Sequence, residues 1–183
     1  MYITEQPISR EQLRMIAKAF KSYLGFNGLF IDVPRMLEVT MDKFPHLDVE
    51  IVTDNSLGRK IFADFIPKNS TLTNRPLIRI KESVYNNACN PNSNSYGRDR
   101  MSITHEIAHF ILIDQFNVEV IEHHGRGTTN LATTAEWQAM ALAGEIIMPF
   151  EETESIKDIL ELANKCGVST DAANYRINKY MKE

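Results

Sequence analysis

The centre of the chain reads His105-Glu106-Ile107-Ala108-His109. On an α-helix, residues four apart lie one above the other on the same face, so both imidazoles can reach one metal ion. Glu106 lies about 100° further round the helix, where its carboxylate can take a proton from a water molecule. Zinc suits imidazole ligands and lowers the pKa of a water that it binds towards ~7. The motif therefore predicts a helix that carries a hydrolytic metal site.

The residues around this motif are almost all apolar, as expected of a buried helix. They are Met101, Ile103, Phe110, Ile111 and Leu112. A buried helix could instead carry two histidines as ordinary core residues. Two imidazoles and a carboxylate would be costly in such a core without a partner, and a cation supplies that partner. We therefore favour the metal site over a pair of core histidines.

A catalytic zinc site takes three protein ligands and leaves one position open. The residues offer two candidates for the third ligand: the His123-His124 pair in a glycine-containing loop, and Glu136, which follows His109 by 27 residues. Glu136 begins a largely apolar helix, where a carboxylate needs a cation. A helix also fixes a ligand better than a loop, so Glu136 is favoured. The histidine pair stays an alternative, also as a second metal site.

Hydrolysis through an oxyanion benefits from a hydrogen-bond donor opposite the general base. Polar residues on loops beside the two site helices are the candidates: Tyr96, His123, His124 and Arg126. Each of them could also be an ordinary surface residue. Glu145, further along the Glu136 helix, is expected to be exposed to solvent.

Two segments share a pattern with known proteins. Residues 98–112 contain the histidine motif, and residues 136–149 read EWQAMALAGEIIMP. Together they resemble the ImmA/IrrE family of metallopeptidases, in which a downstream helix with a Glu-x-x-Ala-x-x-Phe-Ala pattern ends in Met-Pro. The likeness covers about residues 47–180 and includes the strand at 77–80 and the segment 166–177. Met140 and Leu142 depart from the Asn and Phe that are usual in the family.

The resemblance implies that His105, His109 and Glu136 bind zinc and that Glu106 is the general base. It also implies a fold and a substrate: an α+β zincin-like domain that cleaves a helix-turn-helix transcriptional repressor and so relieves repression. A second hypothesis is a zinc-binding regulatory protein that sequesters a repressor without cutting it. The intact Glu106 disfavours it, because a structural zinc site has no use for a base. A peptidase with general substrates is the third possibility.

The composition of the chain indicates where the protein is located and which partners it binds. The 183 residues carry a net charge of −4, and this mild acidity disfavours non-specific binding to duplex DNA. Neither a signal peptide nor a membrane span is expected, and the two cysteines are expected to be reduced thiols. We therefore predict a cytoplasmic protein with a protein substrate, no direct nucleic-acid contact and no membrane contact. The oligomeric state is not predicted.

Hydrophobic patterns along the chain predict a small antiparallel sheet packed on the motif helix, with helices at both ends. The segments expected are an N-terminal helical part (1–46), a zincin-like catalytic core (47–150) and a C-terminal helical pair (151–183). Ser9 with Gln12 predicts a capping box at the start of the first helix. Residues 85–96, which are rich in asparagine, are expected to form a polar loop. The C-terminal pair offers few base-reading or phosphate-binding side chains, so we expect it to pack or to dock a substrate.

Overall fold

The computed structural model describes residues 2–4, 7–118, 120–122 and 134–180. Its fold is α+β, as the sequence predicts. The helices are α1 (Arg10–Leu24), α2 (Val33–Lys43), α3 (Glu82–Cys89), α4 (Tyr96–Phe110), α5 (Ala135–Ile147), α6 (Phe150–Thr153), α7 (Ile159–Cys166) and α8 (Thr170–Tyr175). The strands are β1 (Tyr2–Thr4), β2 (Asp48–Val52), β3 (Ala63–Ile66), β4 (Leu77–Lys81) and β5 (Val120–Glu122).

The main sheet is mixed, so the antiparallel sheet expected from the sequence is wrong in this respect. β4 is its central strand; β2 runs parallel to β4 and β3 antiparallel to it. The connection at residues 53–62 does not close a hairpin, because it carries the chain past the position of β4 to the opposite edge. Ile78 and Ile80 on β4 are fully buried, so the central strand packs directly in the hydrophobic core. A separate two-stranded sheet pairs β1 with β5.

Local sequence signals set the ends of several helices. The Ser9 side chain accepts a hydrogen bond from the backbone N–H of Gln12, and the Gln12 side chain accepts one from the backbone N–H of Ser9, which completes the predicted capping box. α1 ends at Gly25, whose φ of 80° favours glycine. Asp32 caps α2 and Thr134 caps α5 in the same way as Ser9 caps α1. No described helix is both long enough and apolar enough to cross a lipid bilayer.

Residues 85–96 are not one continuous loop. α3 extends to Cys89, and the loop begins only at Asn90. Val84 and Ala88, one helical turn apart, are buried. Their packing outweighs the low helix propensity of the neighbouring asparagines. The first part of this asparagine-rich segment is therefore helical and not the loop expected from its composition.

α4 lies at the centre of the molecule and continues into one wider π-helical stretch at Ile111–Gln115. It packs against α5, α3 and β3. A Cβ placed on Gly97 would lie 2.3 Å from backbone atoms of Val168 and Ser169. The first turn of α4 is therefore in direct backbone contact with the turn between α7 and α8. A second π-helical stretch, Arg176–Tyr180, follows α8.

Candidate metal centre

The two histidines of the motif lie one turn apart on α4 and point to the same place. Their Nε2 atoms are 3.1 Å apart, and their ring planes are nearly perpendicular. The side chains are only 13% and 10% exposed. Nδ1 of His105 has no hydrogen-bond partner among the described residues. The contacts of this imidazole with His109 and Glu136 are made through Nε2.

α5 brings a carboxylate to the same point. Thr134 accepts a hydrogen bond from the backbone of Trp137 and so fixes the first turn of α5. Glu136, in that turn, places Oε2 at 3.2 Å from Nε2 of His105 and Oε1 at 3.4 Å from Nε2 of His109. These hydrogen bonds to His105 and His109 lower the pKa of Glu136. The Glu136 side chain is 73% exposed, so this side of the cluster is open to solvent.

The three side chains fit a small divalent metal ion. His105, His109 and Glu136 each offer a ligand atom, and these atoms lie within 4.8 Å of one another. Ligands about 2.0–2.1 Å from a tetrahedral ion are roughly 3.3–3.4 Å apart, and the three separations here are 3.1, 3.2 and 3.4 Å. A proton between the two imidazoles would satisfy a single contact, whereas a cation satisfies the contacts of all three side chains.

Glu106 lies beside this cluster and is 8% exposed. Burial raises the pKa of Glu106 to about 7. The charges of Glu136 and Asp64 also raise it, while His105 and a hydrogen bond with the backbone of Phe65 lower it. A carboxyl group with a pKa near neutrality can both accept and donate a proton, which is what a general base that later acts as an acid requires.

Strand β3 forms a wall of the site that the sequence analysis did not identify. The ring of Phe65 is stacked on that of His109, with centroids 6.5 Å apart and planes inclined by 2°. The neighbouring Asp64 accepts two hydrogen bonds from Arg79, at 2.9 and 2.6 Å. Residues 60–66 are rich in residues that favour β-strands, but this composition carries no information about which helix the strand contacts.

Of the other candidates from the sequence, Tyr96 lies among the described residues and does not join the cluster. Tyr96 is the first residue of α4, nine residues before His105, which is about 13 Å along the helix. Its hydroxyl accepts a hydrogen bond from Arg100 at 3.0 Å, and nothing in this arrangement supports a role as oxyanion donor. His123, His124 and Arg126 lie outside the described residues.

Glu145 is buried, which contradicts the solvent exposure expected from the sequence. It is 2% exposed and accepts two hydrogen bonds from Arg176, at 3.1 and 2.7 Å. Because Arg176 follows it by 31 residues, the pattern of α5 alone could not reveal this partner.

A combination of an α+β fold, two imidazoles one helical turn apart and a carboxylate from a second helix is typical of metallopeptidases. Comparison with protein families agrees: the family described as Peptidase_M78, the IrrE N-terminal-like domain, matches residues 88–178. Residues 88–178 therefore match this peptidase family, in accord with the resemblance of the chain to ImmA/IrrE proteins. The matched segment contains α4, α5 and the C-terminal helices. Among curated proteins, none matches the chain.

Proposed function

We propose that the protein is a zinc-dependent metallo-endopeptidase, with His105, His109 and Glu136 as the zinc ligands and Glu106 as the general base. The observation that carries the proposal is the convergence of three ligand atoms, all within 4.8 Å of one another, beside a buried carboxyl group. When bound, zinc supplies a Lewis acid that polarises a peptide carbonyl and makes a water molecule acidic.

Within this proposal the protein's own groups position and move the proton. Glu106 accepts a proton from the attacking water and then donates it to the leaving amine nitrogen. Its pKa of about 7 suits both steps near neutral pH. The hydrogen bond with the backbone of Phe65 orients the Glu106 carboxyl group, and the Phe65 ring restrains the imidazole of His109.

The position of β3 supports a polypeptide substrate. β3 is an edge strand of the main sheet, and it contacts both His109 and Glu106 through Phe65. The backbone groups on the outer edge of such a strand can pair with an extended segment of another chain. That pairing would hold a peptide bond beside the proposed metal ligands, which favours cleavage within a chain.

The proposed substrate is a helix-turn-helix transcriptional repressor, cleaved in the cytoplasm so that repression ends. This choice rests on the resemblance to ImmA/IrrE proteins. We propose that the protein acts on the repressor directly and makes no contact with nucleic acid or membrane.

Metal binding is tested by replacing one ligand. Wild-type protein is expected to bind about one zinc ion per chain, and His109→Ala to lose most of that zinc after dialysis. The control is His46→Ala, because His46 is exposed and bonded to Asp114 rather than to the cluster. Elemental analysis of the purified proteins is the measurement, and it also reports manganese or iron. Equal zinc content in wild type and His109→Ala would exclude the site.

Catalysis is tested with Glu106→Gln and a repressor encoded by a neighbouring gene. Loss of the general base is expected to lower the cleavage rate roughly 10²–10⁴-fold while zinc content stays at the wild-type level. Gel analysis of the co-incubated proteins measures the rate. If Glu106→Gln keeps its zinc and still relieves repression in cells, the protein sequesters the repressor and does not act by cutting it.

A further inference from the structure

A narrow apolar groove of about 260 Å³ begins one helical turn from the metal centre. Its near end is formed by Met101, one turn before His105 on α4, and by Trp137 and Met140, which flank the turn of α5 after Glu136. The helices at the C-terminal end of the described chain form the opposite wall. The groove thus lies one helical turn from a proposed metal ligand on each of the two helices.

The lining of the groove presents no uncompensated charge. Arg176 is the charged residue among the residues that line it, and its guanidinium is only 2% exposed and is paired with the buried Glu145. Nε of Arg176 and the hydroxyl of Tyr180 have no hydrogen-bond partner among the described residues, but both atoms are buried below the surface of the groove. A ligand in the groove therefore meets an almost entirely apolar surface. An apolar group gains by leaving water there, whereas a charged group would lose its hydration. Small-molecule sites usually enclose about 300–1,000 Å³, so the volume suits a single side chain better than an organic cofactor.

Gly144 keeps the groove open at a cost to its own helix. A glycine inside a helix is less favourable than an alanine, because its backbone loses more conformational freedom on folding. A Cβ at this position would meet only Nη1 of Arg176, at 3.9 Å, so the space would accept a side chain. The chain thus keeps an unfavourable helix residue at a position where a large side chain would close the groove. Such a departure from local stability is expected at a binding site.

We propose that this groove binds a bulky apolar side chain of the polypeptide substrate, with Met140 and Gly144 setting that preference. The proposal rests on the proteolytic function proposed above. The four residues between a proposed ligand and the groove span about 6 Å along the helix, and side chains on the same side of an extended chain are about 7 Å apart. The bound side chain therefore belongs to a residue within two positions of the cleaved bond.

The composition of the groove indicates which side chains it accepts. Met101 and Met140 have flexible, polarizable side chains that adapt to different apolar shapes. We therefore expect leucine, isoleucine, methionine and phenylalanine to be accepted, and charged side chains to be rejected. Met140 is 47% exposed and Tyr175 42% exposed at the edge of the groove, so a substrate can enter from solvent.

The first test compares cleavage sites in a peptide library prepared by tryptic digestion of a cell lysate. Wild-type protein is expected to prefer an apolar residue at one position within two residues of the cleaved bond. Gly144→Leu, which fills the groove, and Met140→Glu, which adds a charge, are expected to lower cleavage of those peptides at least tenfold. Met15→Glu is the matched control and keeps the wild-type profile, since Met15 is exposed on α1 and away from the groove lining. An unchanged profile for Gly144→Leu would overturn the proposal.

The second test needs no cleavage. Trp137 is the single tryptophan of the chain and lines the groove, so its fluorescence reports on occupancy. The Glu106→Gln protein is titrated with acetylated Gly-Gly-Leu-Gly-Gly amide and with the serine counterpart. A saturable emission change is expected with the leucine peptide only, and it is expected to vanish when Gly144→Leu is added.

The two tests separate the two proposals. Fluorescence binding without any cleavage of the library would support the groove and contradict the proteolytic function. Cleavage without an apolar preference and without a fluorescence change would support the proteolytic function and contradict the groove proposal. A wild-type dimer that Met140→Glu converts to a monomer would show that a second copy of the chain covers the groove, and this result would overturn the proposal.

Discussion

Glu145 is a carboxylate held inside the protein by several donors. Besides Arg176, the Nε atom of Arg14 lies 3.3 Å from Oε1 and the backbone N–H of Phe150 donates to Oε2 at 3.2 Å. Arg176 and Glu145 are almost fully buried, so each charge depends on the other for the interactions that water would otherwise supply. The pair joins α5 to the segment that follows α8.

We predict that Glu145→Gln lowers the free energy of unfolding by about 3–5 kcal/mol, because it leaves the Arg176 charge buried without its partner. Urea unfolding measures the change. The control is Glu151→Gln, which removes the exposed partner of Lys18 and is expected to leave the unfolding midpoint unchanged. Equal stability of Glu145→Gln and wild type would show that the pair contributes little.

α4 connects the metal centre to the C-terminal helices. Its second half carries His105 and His109, and its first turn contacts the backbone of Val168 and Ser169 through Gly97. A helix transmits a displacement along its axis because its hydrogen bonds keep it stiff. The packing of α7 and α8 therefore contributes to the position of the imidazoles.

We predict that Gly97→Ala destabilises the protein by more than about 2 kcal/mol, because the added methyl group cannot fit against backbone atoms at 2.3 Å. Thermal unfolding measures the loss. Gly144→Ala is the matched control: its methyl group has room, so this variant is expected to be as stable as wild type or up to about 1 kcal/mol more stable. Similar unfolding temperatures for the two variants would contradict the close packing at Gly97.

Features that depend on neighbouring residues in the chain were predictable from the sequence, and features that depend on distant partners were not. The capping box of Ser9 and Gln12 involves a single helical turn and was found. The order of the strands in the sheet depends on how a ten-residue connection crosses the molecule, which no local pattern encodes. Phe65 was missed for the same reason, since its role comes from contact with His109, 44 residues away.

At the scale of the whole molecule, one cluster of buried apolar residues draws on all three segments of the chain expected from the sequence. Leu13 of the first segment, Ile107 of the second and Leu162 of the third are fully buried in it. The division into residues 1–46, 47–150 and 151–183 stays a prediction. Because the core is shared, we expect damage to the C-terminal helices to affect the stability of the whole protein.

Cys166 makes this shared core sensitive to alkaline pH. Burial raises the pKa of its thiol to about 11, although Arg100, Arg176 and Lys21 lower it. An unfolded chain ionises the thiol near pH 8.5, whereas the folded protein keeps it neutral up to about pH 11. The stabilisation is complete below pH 8.5 and is lost as the pH rises to 11.

We predict that the free energy of unfolding of wild type falls between pH 8.5 and 11 by roughly 1–3 kcal/mol more than that of Cys166→Ala. The difference between the two pH profiles, measured by urea unfolding, isolates the thiol from the other groups that titrate in this range. Parallel profiles would show that Cys166 ionises at the same pH in the folded and unfolded chains.

The outer edge of β3, with which no strand of the described residues pairs, has a consequence for the targets of the proposed enzyme. A target segment can pair with β3 only after giving up the hydrogen bonds of its own fold. Cutting is then limited by how often that segment opens, so helical targets with weak local stability should be degraded fastest. The lifetime of a regulator in the cell would then depend on how often its own target segment unfolds locally, as well as on the amount of protease.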